Sequence, residues 1–395
     1  MPQIRNSGRP RWAPWLCAGL SSLALLACGL ATAIASTPAH STPPKHSKPA
    51  RPKLHGNAGR AENAYQAMQS IFYLPSAGLY RGAPYSYLWA FSQALAATIS
   101  MTAVPGADRS YHLQESTRLA SLQAYWDPGP PPGYDGGVVP PRGSGGRKYY
   151  DDNDWIALEL LRLYRHDHYT AFLTRAKQLY SLITSAWDVK PSDACPGGVP
   201  FSSDPRNDQR NVVTTAPAVE LATELYALTG DADALAWAQR MYGWVRTCLM
   251  APSGLYFDHI SPSGQIDQTT WSYNQGTMIG AGVMLYQATG RSEYLDQARF
   301  TAGAALGLFT PARLHAEPPF FASVYFRNLL LLDGVRHDPA YRQVVQAYAD
   351  WAFQQHRSAR TGIYSFGAPG TMQLLDQAAM VNVYAFLATP GGSYF

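Results

Sequence analysis

The stretch Tyr149-Tyr150-Asp151-Asp152-Asn153-Asp154-Trp155-Ile156-Ala157-Leu158, continuing to Leu163-Tyr164-Arg165-His166-Asp167-His168-Tyr169, decides the reading of the fold. An acidic cluster opens a strongly apolar helix, which ends in a tight polar turn. The same turn recurs as Leu225-Tyr226-Ala227-Leu228-Thr229-Gly230-Asp231, as Leu285-Tyr286-Gln287-Ala288-Thr289-Gly290-Arg291, and as Leu332-Asp333-Gly334-Val335-Arg336-His337-Asp338. Each lies between an apolar helical run and a more polar one. The repeating unit is therefore helix, short turn, helix and a long Gly/Pro/aromatic loop.

Six such units fit the chain. Their first helices are expected near 58–73, 108–125, 168–187, 232–250, 292–308 and 338–357. The partners are expected near 84–102, 153–166, 211–229, 271–289, 320–336 and 372–388. The partner set is apolar on almost every side, as in Met278-Ile279-Gly280-Ala281-Gly282-Val283-Met284-Leu285, and such helices are buried all round. The first set is amphipathic, with Arg175 and Lys177, or Arg240 and Arg246, on a side that should face water. Six buried helices inside six half-exposed ones make an all-α fold, an (α/α)6 toroid of six helical hairpins. Gly254-Leu255-Tyr256-Phe257-Asp258 is read as a short hairpin arm.

The short turns fall at one mouth of the toroid. The long loops 127–152, 188–210, 251–270, 309–319 and 358–371 fall at the other and lead into the inner helices. Long loops on a rigid scaffold are where function concentrates. Asp151 and Asp152 stand at the end of the longest, facing the central cavity. They cap the helix, complement its dipole, or form the carboxyl pair that glycoside hydrolysis commonly needs. Their place at the wide mouth favours catalysis.

The loops are also rich in aromatics: Trp126, Tyr134, Tyr149, Tyr150, Trp187, Tyr256, Phe257, Trp271, Tyr273, Phe320, Phe321 and Tyr364. Aromatic faces stack on sugar C–H faces, and about a third of this set is expected to touch substrate. Trp271-Ser272-Tyr273-Asn274-Gln275-Gly276 opens another inner helix. Asn274 and Gln275 suit hydroxyl recognition, Gly276 permits close approach, and ordinary capping by Ser272 or Asn274 is the alternative. Ser92-Gln93 enters the second helix pair at a similar place, which makes Gln93 a weaker candidate.

Other chemistries lack a starting point. Asp204-Pro205-Arg206-Asn207-Asp208 has neither the spacing nor the glycine of a calcium loop and reads as a solvated loop. There is no His-Glu-x-x-His, no Gly-x-Ser-x-Gly and no phosphate-cradling glycine loop. No metal or cofactor is expected.

The chain has 395 residues. Its first 35 read as a secretory signal: basic Arg5, Arg9 and Arg11, an apolar run to Ile34, and Ala33-Ile34-Ala35 before Ser36. A competing lipoprotein box, Leu25-Leu26-Ala27-Cys28, would leave Cys28 lipidated, and an uncleaved anchor is the third reading. Residues 36–57 are a Ser/Thr/Pro/Lys linker, and 58–395 are the catalytic domain. Residues 1–57 hold seven Lys/Arg and no acid, leaving 24 basic against 27 acidic residues beyond them. The basicity belongs to the leader, so a nucleic-acid partner loses its support. Without the leader, Cys195 and Cys248 are the only cysteines: a disulfide in an oxidising compartment, or two free thiols.

Tyr150-Asp151-Asp152-Asn153, then Trp155 and a helix ending in Leu163-Tyr164, resembles the signature of glycoside hydrolase family 76, the endo-α-1,6-mannanases. Tyr273-Asn274-Gln275-Gly276, followed by Ile279-Gly280-Ala281 and Leu285-Tyr286, resembles that family's second block. Pro217-Ala218 to Leu228-Thr229-Gly230 resembles a weaker third. The resemblance runs over most of residues 58–390. It implies the same toroid and a retaining mechanism on α-1,6-linked mannose chains, with Asp151 as nucleophile and Asp152 as general acid/base. From the residues themselves, Tyr150, Gln93, Trp271, Tyr273, Asn274 and Gln275 are the substrate-binding candidates. Asp154 departs from the family pattern by adding a third carboxylate. It either partners the helix dipole or perturbs the pair by like-charge repulsion. The expectation is a secreted or cell-surface monomeric mannanase whose partner is an α-mannan-type polysaccharide or oligosaccharide. It would meet a membrane only through its signal or a lipid anchor. A transglycosylase and a non-catalytic glycan-binding protein are the alternatives.

Overall fold

The computed structural model describes residues 54–107, 109–367 and 374–389. The leader, with the Ala35 and Cys28 processing sites, and most of the linker lie outside the described residues. Among the described residues thirteen helices follow in order: α1 (Gly56–Phe72), α2 (Leu88–Ala103), α3 (Ser110–Leu122), α4 (Tyr150–Asp167), α5 (Thr170–Ser185), α6 (Val212–Thr229), α7 (Ala232–Leu249), α8 (Ser272–Thr289), α9 (Ser292–Leu308), α10 (Pro311–Ala316), α11 (Pro319–Val335), α12 (Pro339–Gln355) and α13 (Leu374–Ala388). No helix among them is long and apolar enough to cross a membrane.

The inner ring closes. α2 packs on α4, α4 on α6, α6 on α8, α8 on α11, α11 on α13, and α13 returns to α2. Every residue from Leu374 to Leu387 of α13 and from Ser272 to Leu285 of α8 is buried, as helices apolar all round must be. The outer helices bury one stripe each; in α5 it is Ala176, Leu179, Leu182 and Ile183. Left-handed His168, Gly230 and Gly290 end α4, α6 and α8 and make the short turns.

Four details differ from the sequence reading. Each outer helix packs chiefly on the inner helix that precedes it around the ring, so α1, first in the chain, pairs with α13, the last, more closely than with α2. Gln377 Nε2 donates to the Ala64 carbonyl at 2.8 Å across that seam. Second, α4 starts at Tyr150, so Asp151 and Asp152 sit in the first helical turn rather than at the end of a loop. Carboxylates there offset the positive end of the helix and extend it. Third, beyond the expected arm, which pairs Tyr256 with Met250, a second hairpin at 259–260 and 266–267 adds to strand 210–211 just before α6. Fourth, the outer arginines do not simply face water. The Arg175 guanidinium lies 3.5 Å from the Trp126 ring centroid, and Arg240 lies 4.9 Å from both Trp187 and Trp237.

Gly276 does permit a close approach, but of another helix. A Cβ there would stand 2.6 Å from the Tyr325 Cα of α11. Cys195 and Cys248 are bonded, with Cα atoms 6.2 Å apart, which ties the 188–210 loop to the end of α7.

Candidate active site

The first turns of four inner helices share one device. At the fourth residue of α4, Asn153 accepts from the Tyr134 N–H at 2.8 Å and donates to the carbonyls of Tyr134 and Tyr149. At the fourth residue of α8, Gln275 accepts from the Tyr256 N–H at 2.8 Å and donates to the carbonyls of Tyr256 and Trp271. At the fourth residue of α13, Gln377 accepts from the Tyr364 N–H at 2.9 Å. In α6, Thr215 accepts from the Val199 N–H while Thr214 donates to its carbonyl. A side chain thus replaces a missing strand partner and fastens each incoming loop to its helix, since buried backbone groups need partners. The Gly/Pro-rich loop 127–148 is also closed by Lys148, whose ammonium meets Asp127 at 2.5 Å.

These loops surround a cleft of about 570 Å³. Asp151, Asp152 and Trp155 lie along its base. Both aspartates are only 6 % exposed. One wall is bare backbone: Gly136, Gly137, Gly145 and Gly146. The other is aromatic, with Phe321 4.2 Å from Tyr273 and Phe320 5.1 Å from Trp89, ring to ring. Tyr87, Arg147, Tyr149 and Phe201 stand further round the cleft.

The pair is electrostatically unequal. Burial pushes Asp151 upward, while the backbone N–H groups of Asp152 and of Asp151 itself draw it back down. Asp152 is raised by burial and then by the charge of Asp151, with no such donors to oppose the rise. Like charges in one buried site resist ionising together, so the pair holds on to a proton as pH rises.

The structure brings Asp151, Asp152 and Tyr273 together in the cleft. The other sequence candidates do not line it. Tyr150 faces a separate groove with Trp187, Asp188 and Arg210. Gln93 lines a small cavity beyond Trp155 and Val324, the two residues that border both spaces. Trp271 lies behind the aromatic wall, its ring 5.4 Å from Phe321. Asn274 is fully buried and donates to Asp258 at 3.0 Å, and Gln275 is fully buried and spent on backbone. Of the loop aromatics, Tyr149, Tyr273, Phe320 and Phe321 reach the cleft. Tyr87, Trp89 and Phe201 reach it too, beyond the aromatics expected from the sequence. Tyr87-Leu88-Trp89 opens α2 just as Tyr150 and Trp271 introduce α4 and α8, and that parallel is the signal the sequence offers for them.

Asp258, His259 and Asp267 form the grouping of metal-type ligands within 4.8 Å among the described residues. Asp258 already accepts from Asn274 and Tyr273 and pairs with His259 at 2.9 Å, and Asp267 accepts from the Thr269 N–H. Asp204 is held by Arg147 and Arg206, each at 2.7 Å, as suits a solvated loop.

A helical toroid with adjacent carboxyl groups at the base of an aromatic cleft defines a class of carbohydrate-processing sites. The chain belongs to glycosyl hydrolase family 76, which it matches over residues 58–330. It is 26 % identical over 177 residues to mannan endo-1,6-alpha-mannosidase DCW1 of Candida glabrata, covering 42 % of this chain and 35 % of that protein. The aligned part is thus about a third of that relative's length. A family 76 mannosidase of Bacteroides thetaiotaomicron has the same fold, with a TM-score of 0.76, 21 % identity, and 84 % and 98 % of the two chains covered. So does an α-1,6-mannanase of Salegentibacter sp., with a TM-score of 0.71, 22 % identity, and 84 % and 99 % covered. That structure is an inactive variant with two consecutive aspartates replaced by asparagine, in complex with α-1,6-mannotriose.

Proposed function

We propose that this protein is a retaining glycoside hydrolase that cleaves α-1,6-linked mannose chains through a covalent glycosyl-aspartyl intermediate. The observation that carries the reading is two consecutive buried aspartates lining one sugar-sized cleft beside an aromatic wall. Asp151 is the ionised partner and attacks the anomeric carbon. Asp152 keeps its proton and delivers it to the departing glycosidic oxygen. Water then enters, Asp152 takes its proton, and the glycosyl–Asp151 ester opens with a second inversion. Retention asks for carboxyl groups about 5–5.5 Å apart, within reach of neighbours in one helical turn. Tyr273, Phe320, Phe321 and Trp89 offer apolar faces to the pyranose rings. The substrate class is supported by the mannan-acting relative and by the mannotriose-bound mannanase. A leader over residues 1–35, cleaved at Ala35 or lipidated at Cys28, would deliver the enzyme outside the cell or to its surface.

The test is Asp151→Asn and Asp152→Asn, made separately and assayed on α-1,6-mannan, with NMR of the first-formed anomer. Loss in both and an α product are expected. Full activity in both would remove the pair from the chemistry, and a β product would remove the covalent step. Longer products with added acceptor sugar would mark a transglycosylase, and binding without cleavage a glycan-binding protein. Mass spectrometry of the mature N-terminus tests the leader.

A further inference from the structure

Beneath the pair runs a column of buried oxygen atoms with no donor among them. Asp154 lies one helical turn below Asp151, on the same face. It is fully buried, and neither of its carboxyl oxygens has a partner. Glu220 of α6 is likewise fully buried with both oxygens unpartnered, and so is the amide oxygen of Asn328 on α11. Gly280 of α8 leaves room for them. A Cβ there would lie 2.0 Å from Asn328 Oδ1 and 2.5 Å from Glu220 Oε1, so those two oxygens face each other across the notch. At the top of the column, Asp151 Oδ1 is also unpartnered. Three inner helices, α4, α6 and α11, therefore direct acceptors at one buried spot, and α8 leaves the notch between them.

Acceptors cannot satisfy one another. An unpaired carboxylate in such a place costs several kcal/mol, which a bound proton removes. The nearby cation is Arg327, which pairs with Glu159 at 3.7 Å and also draws on Glu220, but its pull on Glu220 is smaller than the cost of burying that carboxyl; Glu159 also meets Arg162. Glu224 is held by Arg165. We propose that Asp154 and Glu220 are carried as neutral carboxylic acids, with Glu220 donating to Asn328 and Asp154 donating to the open oxygen of Asp151. Asp154 is then a positioning residue: its hydroxyl favours the ionised form of Asp151 while Asp152 holds the catalytic proton. Burial drives Glu220 up to about 8 against the opposing charge of Arg327, and it drives Asp154 well above the ordinary range, helped by the charge of Asp151. The kinetic part rests on the hydrolase reading above; the protonation part does not.

Infrared difference spectra at neutral pH test the protonation without substrate. Beside the stretch of Asp152, one protonated-carboxyl stretch is expected to be lost in Asp154→Asn and another in Glu220→Gln. Carbon-13 titration of the native protein reads the same groups if a variant fails to fold. Ionised groups at neutral pH would overturn the proposal. So would a stoichiometric divalent cation retained by the dialysed protein and lost in Glu220→Gln. In kinetics, Asp154→Leu should cut kcat about tenfold, the scale of one hydrogen bond to a charged group, and move the acid limb of the pH profile upward. Asp154→Asn, which still offers a donor, should restore both. An acid limb that moves downward in Asp154→Asn would reveal a charged Asp154 and overturn the assignment. Inactivity of the native protein on mannan, with both stretches present, would sink the hydrolase reading and leave the neutral acids standing.

Discussion

In the first turn of α4 the residues after Tyr150 are Asp151, Asp152 and Asn153; in the first turn of α8 the residues after Ser272 are Tyr273, Asn274 and Gln275. The two triplets occupy the same turn of the same repeat. In both, the last member is an amide that fastens the preceding loop. The first members, Asp151 and Tyr273, both reach the cleft, but the middle ones part ways. Asp152 lines the cleft, whereas Asn274 is buried against Asp258. The fourth helical position therefore serves the scaffold, and in α4 the second and third line the cleft. The hydrogen-bonding groups that make Gln275 look like a sugar ligand in the sequence are already used by the fold.

The largest effect that would break this contrast is on rate. Asp151→Asn or Asp152→Asn should lower kcat on α-1,6-mannan by about 10³-fold or more, whereas Tyr273→Phe should cost far less. Comparable losses from the α4 and α8 substitutions, in initial rates, would erase the distinction. Next comes packing. Gly276→Ala sets a methyl against the α11 backbone and should destabilise by about 3 kcal/mol in urea unfolding. A neutral result would mean that α8 and α11 can part without cost.

The amides come third. Asn153→Ala and Gln275→Ala each strand a buried N–H and carbonyl and should each cost about 2 kcal/mol, again by urea unfolding. KM of the folded Gln275→Ala protein should stay unchanged. A raised KM with intact stability would return Gln275 to the sugar. The smallest effect is the pH dependence of stability. The folded-state pKa of Asp152 is raised, so the native state holds a proton that the unfolded chain releases. That contribution is complete below about pH 3.9 and is lost as pH rises toward the folded value. Asp152→Asn should thus be stabilising near pH 8 and neutral near pH 3. An equal gain at both would deny that the acidic first turn of α4 carries strain which that of α8 lacks.

Much of this is legible in the residues alone. Runs apolar on every side, alternating with amphipathic runs and separated by Gly-ended turns, leave few ways to bury that surface. Hence all twelve expected helices are found among the described residues, and α10 is the extra one.

The sequence by itself determined the ring of six hairpins and the placing of an acid pair at its wide mouth, because burial and helix capping are local and periodic. Only the tertiary structure decided that α1 seals against α13, that Trp89 and Phe201 join the wall of the cleft, and that Asp154, Glu220 and Asn328 meet at Gly280. An inner helix enclosed on all sides carries no stripe to mark which residue faces the hollow, so those meetings depend on the packing angle and register of several helices at once.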